Sequence, residues 1–253
     1  MKGNENMVPF ILIPIGLILL LLYVKERMKE KSARSLILKT LASCSFLAIS
    51  FCGLLKVVLG LWGFEDLSFG RLVELVTFPM LIFAGQFFGL LGDVWLGVRS
   101  DSSEENKYLM TAGFASFGLG HVLFIDALIT TFWRGEGLWW ILVPALLTVL
   151  YGIVTMPLGQ KLGMNFGSFH GASVIYGMIL FFAAVFAGSL LMKNGFSSCR
   201  LWLFFAGIIL FAASDAVLAR VYFGKENGKK TLVLANLIMY YAAQFLIAAS
   251  TVV

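Results

Sequence analysis

Two aspartates and one histidine lie inside long apolar runs of this sequence, where ionisable side chains are rare. Asp93, Asp215 and His121 are the residues concerned. A charged side chain costs roughly 2.5–3.5 kcal/mol at the centre of a membrane-spanning helix, so such residues normally face the bundle interior and have partners. Carboxylates and an imidazole held together can exchange protons, as catalysis and proton-coupled transport both require. The structural alternative is that each aspartate caps a helix or pairs with Lys39, and that His121 only links helices.

The elements that carry these residues place them at two depths. With a helical rise of about 1.5 Å per residue, Asp93, Asp215 and Lys39 fall within roughly 12 Å of the cytoplasmic edge. His121, Tyr240 and Gln244 lie deeper, roughly 13–20 Å from that edge. We therefore expect a cavity that opens inward, with these deeper residues as its floor.

A third polar group lies on the last apolar run. Asn236, Tyr240 and Gln244 recur at every fourth position and so share one helix face. That face is predicted to line the same interior. It either contacts a substrate or serves only to hydrogen-bond neighbouring helices.

The composition predicts an all-α membrane protein with about eight spanning helices and one transmembrane domain. The chain is 60% hydrophobic and only 13% charged, and its mean hydropathy is +0.92, so a water-soluble fold is excluded. Apolar runs of about 20 residues match the thickness of a bilayer, and such runs must be helical to satisfy their backbone groups. The predicted helices are 7–24, 36–61, 72–98, 108–130, 138–158, 169–191, 200–222 and 231–253.

Positive charge is distributed unevenly between the predicted loops. Lysine and arginine are concentrated in the first, third, fifth and seventh connections. Because such connections stay in the cytoplasm, eight spans place both termini outside it. The first run lacks a signal-peptide cleavage site and is predicted to remain as a helix. Short loops and the lack of a targeting signal are typical of a bacterial cytoplasmic membrane protein.

Several classes of function are disfavoured by the motifs. The net charge of +5 comes from loops between apolar runs, which indicates membrane topology rather than nucleic-acid binding. Zinc-protease, nucleophile-elbow and P-loop motifs do not occur, so we predict no metal and no cofactor. The cysteines at 44, 52 and 199 are predicted to be buried apolar residues. The predicted partners are membrane lipids, and no oligomeric state is specified.

A possible four-plus-four repeat relates the two halves of the chain. The segments GDVWL at 92–96 and SDAVL at 214–218 each contain a small residue, an aspartate, two apolar residues and leucine. A polar residue follows each aspartate at a similar distance, His121 after Asp93 and Gln244 after Asp215. Parallel repeats of this kind occur in membrane transporters, although similarity between apolar helices also arises by chance.

Five short motifs in order resemble the YhhN family of membrane proteins, known as lysoplasmalogenases. They are LKT at 38–40, GDVWL at 92–96, FGLGHVLF at 117–124, FAASDAVLA at 211–219 and YYAAQFLI at 240–247. The sequence departs from the family pattern at Thr40, where proline is usual, and at Phe124, where tyrosine is common. The resemblance covers the second to the eighth predicted helix.

The resemblance implies an eight-helix hydrolase that cleaves the vinyl ether bond of lysoplasmalogens to a fatty aldehyde and a glycerophospho-base. Protonation of the vinyl β-carbon gives an oxocarbenium ion that water attacks. One carboxyl group can supply the proton and the other can activate the water. One of Asp93 and Asp215 would be the protonated acid, and the other would activate water. His121 would orient the proton, Tyr240 and Gln244 would hold water or glycerol oxygens, and Lys39 would attract the phosphate of the lysophospholipid.

Three other functions remain open at this point. The same Asp and His residues suit a proton-coupled transporter, although their bias to one side favours a one-sided cavity. A non-catalytic lipid-binding protein would use the aspartates only to lock helices. The third alternative is an enzyme of the same family that acts on another ether or ester lysolipid.

Overall fold

Helices account for all the regular structure in the computed structural model, which describes residues 8–29, 33–61, 68–98, 102–225 and 229–253. These residues form eight α-helices. They are α1 Val8–Lys29, α2 Ala33–Gly60, α3 Phe69–Gly97, α4 Ser103–Leu128, α5 Trp139–Lys161, α6 His170–Lys193, α7 Cys199–Phe223 and α8 Lys230–Ala249. A π-helical turn, Ile129–Trp133, extends α4, and a 3-10 turn, Gly167–Phe169, precedes α6.

The helices are those of a multi-pass membrane protein. Among the described residues, seven helices, α2 to α8, are long and apolar enough to cross a bilayer. Their outer surfaces are apolar: for example, Leu146 of α5 is 62% exposed and Ile238 of α8 is 56% exposed. The predicted all-α polytopic fold is therefore confirmed.

The observed helix ends differ from the predicted ends by a few residues. α1 continues to Lys29, because lysine, arginine and glutamate are good helix formers and need not end a helix where they enter water. α8 ends at Ala249, where Ser250 and Thr251 donate hydrogen bonds to the carbonyls of Ile247 and Ala248. Some predictions rest on residues outside the described ones, namely Met7 and the charges of Lys2, Lys31 and Arg99.

The cysteines correct one expectation. Cys44 and Cys199 are exposed on the outer surface, so the prediction that they are buried is wrong. Cys52 is half-buried. A thiol is a small apolar group, and it can face lipid as readily as a protein core.

Several helix contacts in the first half of the chain have counterparts in the second half. The contacts α1 with α2, α2 with α3 and α3 with α4 recur as α5 with α6, α6 with α7 and α7 with α8. Between the halves, the contact of α2 with α8 recurs as that of α6 with α4. The two sets of four helices are therefore packed in corresponding ways.

Closely packed small residues set the crossings within each half. A Cβ atom on Gly120 of α4 would lie 2.7 Å from the carbonyl oxygen of Gly85 on α3. In the second half, a Cβ atom on Gly207 of α7 would lie 2.9 Å from the carbonyl oxygen of Ala243 on α8. The backbones approach too closely for larger side chains, as at many helix interfaces in membranes.

Candidate active site

A cavity of about 770 Å³ lies at the end of the bundle that carries the α1–α2, α3–α4, α5–α6 and α7–α8 connections, here called the basic end. Most of the predicted site residues line this cavity, namely Lys39, Asp93, Asp215, Asn236 and Tyr240. His121 and Gln244 do not line it. Each lies behind a tyrosine that does, as described below.

Asp93 is held by three side chains from two neighbouring helices. Lys39 of α2 forms an ion pair with its Oδ1 at 2.9 Å and also donates to the Asp93 carbonyl oxygen at 3.0 Å. Ser43 of α2 donates to Oδ2 at 2.6 Å, and Tyr240 of α8 donates to Oδ2 at 2.7 Å. Asp93 is only 3% exposed. Its buried carboxylate is therefore both ion-paired and hydrogen-bonded, as buried charged groups need to be.

Asp215 has a different environment. Tyr176 of α6 donates a hydrogen bond to its Oδ2, and no described lysine or arginine lies within ion-pair distance of it. Its side chain is half-buried rather than buried. The two cavity carboxylates therefore differ in charge partner, in number of donors and in exposure.

His121 lies behind Tyr176 as seen from the cavity and contacts its hydroxyl group. Its Nε2 atom lies 3.2 Å from the Tyr176 oxygen, and since the Tyr176 proton is donated to Asp215, the assigned tautomer is the one in which Nε2–H donates to that oxygen. His121 is 1% exposed, and its Nδ1 atom has no partner among the described residues. A hydrogen-bonded chain thus runs from His121 through Tyr176 to Asp215.

Gln244 occupies the corresponding position behind Tyr240. Its Nε2 atom donates to the Tyr240 oxygen at 3.2 Å, and its Oε1 atom accepts from Gln86 of α3 at 3.1 Å. The chain from Gln86 through Gln244 and Tyr240 reaches Asp93. Each aspartate therefore has a tyrosine between it and a deeper polar residue.

Asn236 joins two helices. Its Nδ2 atom donates to the carbonyl oxygen of Ser214 at 3.0 Å and to the Ser214 hydroxyl at 2.8 Å. The Ser214 hydroxyl in turn donates to the Asn236 carbonyl oxygen at 3.2 Å. These bonds hold α8 against α7 beside Asp215, so the amide nitrogen of Asn236 is already used within the protein.

Tyr176 was missed by sequence reasoning. α6 is apolar on all sides, so its pattern does not reveal which face is interior. A buried tyrosine hydroxyl nevertheless needs a partner, and Tyr176 lies about as far from the basic end of α6 as Asp215 lies from that end of α7. This similarity in depth between Tyr176 and Asp215 could have identified Tyr176 from the sequence.

Arg27 and Lys230 add positive charge to the cavity. Both line it, Arg27 near the end of α1 and Lys230 at the start of α8. Neither has a carboxylate within ion-pair distance among the described residues, whereas Lys39 is committed to Asp93. An anionic group that enters from the basic end meets these two side chains.

Towards the opposite end, aromatic side chains fill the interior. Phe78, Phe124 and Phe204 are each at most 2% exposed. Phe124 packs edge-on against Phe204 with ring centroids 5.8 Å apart, and Phe78 packs in the same way against Phe132 at 5.7 Å. Within the described residues the cavity therefore does not continue to the opposite end of the bundle, which suits a binding or catalytic site better than a transport path.

The sequence model of the YhhN family matches residues 49–251 of the chain. The matched region includes Asp93, His121, Asp215 and Tyr240, whereas Lys39 precedes it. No curated protein and no solved structure gives a significant match.

Proposed function

The chain belongs to the YhhN family, and on that premise we propose that it is a membrane hydrolase that cleaves the vinyl ether bond of lysoplasmalogens. The observation that carries the proposal is that two carboxylates in contrasting environments line one cavity. Acid-catalysed hydrolysis of a vinyl ether needs a proton donor and is assisted by an ionised group that activates water. Pairs of carboxylates divide these roles when their environments differ.

In the proposed mechanism Asp215 is the acid. It has no cationic partner among the described residues, which distinguishes it from Asp93 and suits the role of proton donor. Its proton passes to the β-carbon of the vinyl ether, and the α-carbon becomes part of an oxocarbenium ion. Tyr176, donating to Oδ2, stabilises the carboxylate that remains, and His121 holds Tyr176 in place.

Asp93 is the base. Lys39, Ser43 and Tyr240 hold its carboxylate in place, and its negative charge stabilises the oxocarbenium ion across the cavity. Water bonds to the α-carbon while Asp93 accepts its proton, which gives a hemiacetal. The hemiacetal carbon–oxygen bond to glycerol then breaks, Asp93 returns a proton to the glycerol oxygen, and Asp215 takes up the hydroxyl proton. The products are an aldehyde and a glycerophospho-base, and both carboxyl groups are restored.

The test is aldehyde release from a vinyl-ether lysophospholipid by the purified protein in detergent. Asp93→Asn and Asp215→Asn should each lower the rate by about 100-fold or more, the range expected for loss of general acid or base catalysis. Asp126→Asn is the matched control, because Asp126 is an exposed aspartate on α4 away from the cavity, and it should keep the wild-type rate.

The ester-linked analogue should not be cleaved, since an ester offers no vinyl carbon to protonate. Cleavage of the ester at a comparable rate would assign the chain to a broader lysolipid hydrolase. Full activity in both aspartate variants, or no aldehyde from well-folded wild-type protein, would overturn the proposal in favour of a lipid-binding or transport function.

A further inference from the structure

A second cavity of about 450 Å³ adjoins the first. Most of its lining comes from α5, α6, α7 and the connection between α5 and α6, and α3 and α4 add a few residues. We call it the side chamber. The two cavities share the side chains of Tyr176 and Asp215, together with Leu96, Phe114, Leu218 and Tyr222. The proposed acid and its tyrosine therefore stand where the two spaces meet.

The walls of the side chamber are mostly apolar. They include Leu180 and Phe181 of α6, Phe223 of α7, and Met164 and Phe166 of the α5–α6 connection. Besides Asp215 and tyrosines, the polar lining residues are Thr155, Ser173, His170 and Arg220. The hydroxyl of Thr155 already donates to a carbonyl of its own helix at 2.9 Å. A sugar, nucleotide or peptide would lose its hydrogen bonds to water here, whereas a hydrocarbon would lose none.

The rim of the side chamber is also apolar and faces outward. Leu158 and Leu162 belong to the wall, yet they are 47% and 58% exposed. On the other side of the chamber, Ala216 of α7 is exposed as well. α5 packs along α6, and the chamber occupies the space between these helices and α7. A molecule can therefore enter from the hydrocarbon region of the membrane.

We propose that the side chamber binds the hydrocarbon chain of a single-chain lipid, which enters sideways between α5 and α7. Its phosphate-bearing headgroup lies in the first cavity near Arg27 and Lys230. This inference rests on the proposed function and specifies how its substrate is held. A methylene group occupies about 30 Å³, similar to the volume of one water molecule in the liquid. The chamber volume of about 450 Å³ therefore has room for one long chain.

The position of the reacting bond agrees with this arrangement. In a lysoplasmalogen the vinyl ether joins the hydrocarbon chain to glycerol, so it lies where an apolar part meets a polar part. Asp215 lines both cavities, and Asp93 lines only the first. The carbon that accepts the proton is on the chain side, next to Asp215, while water reaches the bond from the headgroup side, next to Asp93.

Ala219 provides the variant that tests the side chamber. It lines the chamber on the same face of α7 as Asp215 and Ala216, but it does not line the first cavity. Ala219→Phe fills part of the space that a long chain needs. Ala213→Phe is the matched control on the same helix, because Ala213 is exposed and lines neither cavity.

The first measurement is kcat/KM for vinyl-ether lysophospholipids with a long and with a short chain. Ala219→Phe should lower the long-to-short ratio on the order of tenfold, a typical effect of a changed apolar pocket, and Ala213→Phe should leave the ratio at the wild-type value. An Ala219→Phe protein that is active and keeps the wild-type ratio would overturn the inference.

The second measurement does not depend on turnover or on the variant. A lysophospholipid with a photoreactive group at the end of its chain is bound to the wild-type protein, and the labelled peptides are identified by mass spectrometry. Labels within 155–181 and 212–223 support the side chamber, even if the protein releases no aldehyde, in which case only the proposed reaction fails. Labels confined to outward-facing residues of other helices in an active protein would overturn the inference and leave the reaction intact.

Discussion

At the scale of single residues, Lys39 determines how the two carboxylates differ. It contacts both the side chain and the carbonyl oxygen of Asp93, and Asp215 has no corresponding cation among the described residues. Lys39 is predicted to attract a phosphate, yet its ammonium group is already paired with Asp93. Arg27 and Lys230 are better placed to meet an anionic headgroup.

The first prediction concerns the buried pair itself. Lys39→Met should lower the free energy of unfolding by about 3 kcal/mol or more, because it leaves the Asp93 carboxylate buried without a cation. Thermal unfolding in detergent measures the change. The double variant Lys39→Met with Asp93→Asn is the control and should recover much of the loss, since no unpaired charge remains. A Lys39→Met protein as stable as wild type would show that the ion pair of Lys39 with Asp93 does not stabilise the fold.

The second prediction concerns Tyr176. Tyr176→Phe removes the donor to Asp215 and the acceptor for His121 while it keeps the ring. We expect aldehyde release to fall about 10- to 100-fold through kcat, since a donor that stabilises developing charge contributes on this scale or more. Tyr108→Phe is the control, because Tyr108 is 70% exposed. Equal rates in the two variants would exclude Tyr176 from the reaction.

Sequence reasoning located some of these residues better than others. Asp93, Asp215 and His121 could be selected because polar groups inside apolar runs need interior partners. The partners themselves depend on which helices are neighbours. Ser43 and Tyr176 lie on α2 and α6, and their contacts with the aspartates follow from the packing of these helices beside α3 and α7. That packing is not readable from uniformly apolar helices.

At the scale of helices, the close crossings of α3 with α4 and of α7 with α8 set the positions of the carboxylates. Gly85 precedes Asp93 by the same number of residues as Gly207 precedes Asp215. Gly120 directly precedes His121, and Ala243 directly precedes Gln244. Each aspartate therefore lies two helical turns from a point where the backbones nearly touch, and that point fixes its height and direction.

The third prediction tests the first of these crossings. Gly120→Ala should destabilise the protein by about 1–3 kcal/mol, as expected for an added methyl group in a tightly packed position, because its Cβ atom meets the Gly85 carbonyl. Gly118→Ala on the same helix is the control. Its nearest neighbour is a Tyr176 ring carbon at 4.0 Å, so it should unfold at or above the wild-type temperature. Similar unfolding temperatures for the two variants would contradict the proposed crossing.

Helix positions were predictable to within a few residues because bilayer thickness limits the length of a span. The ends were less predictable because local groups decide them. Ser68, Ser102 and Ser198 cap α3, α4 and α7 by accepting backbone hydrogen bonds. α3 and α4 begin three and five residues earlier than hydropathy indicated, and α7 begins one residue earlier. The π-helical turn after α4 is stabilised by Lys193, which donates to the carbonyl of Phe132 at 3.0 Å, a contact that no local pattern reveals.

At the scale of the whole molecule, charge predicts orientation. The basic end carries most of the loop lysines and arginines, so we expect it to face the cytoplasm. In a background without the native cysteines, Glu136→Cys on the α4–α5 connection should react with a membrane-impermeant maleimide in intact bacterial cells. Lys161→Cys at the basic end should react only after the cells are opened. Both side chains are exposed, so the reverse labelling pattern would invert the topology.

The matched packing of the two halves has an evolutionary consequence. Two four-helix units with the same internal contacts are what duplication of an ancestral gene produces, and the ancestral unit would have paired with a second copy of itself. If the halves arose in this way, the two aspartates began as equivalent residues related by symmetry. A lysine retained beside only one of them would be enough to make one partner an acid and the other a base.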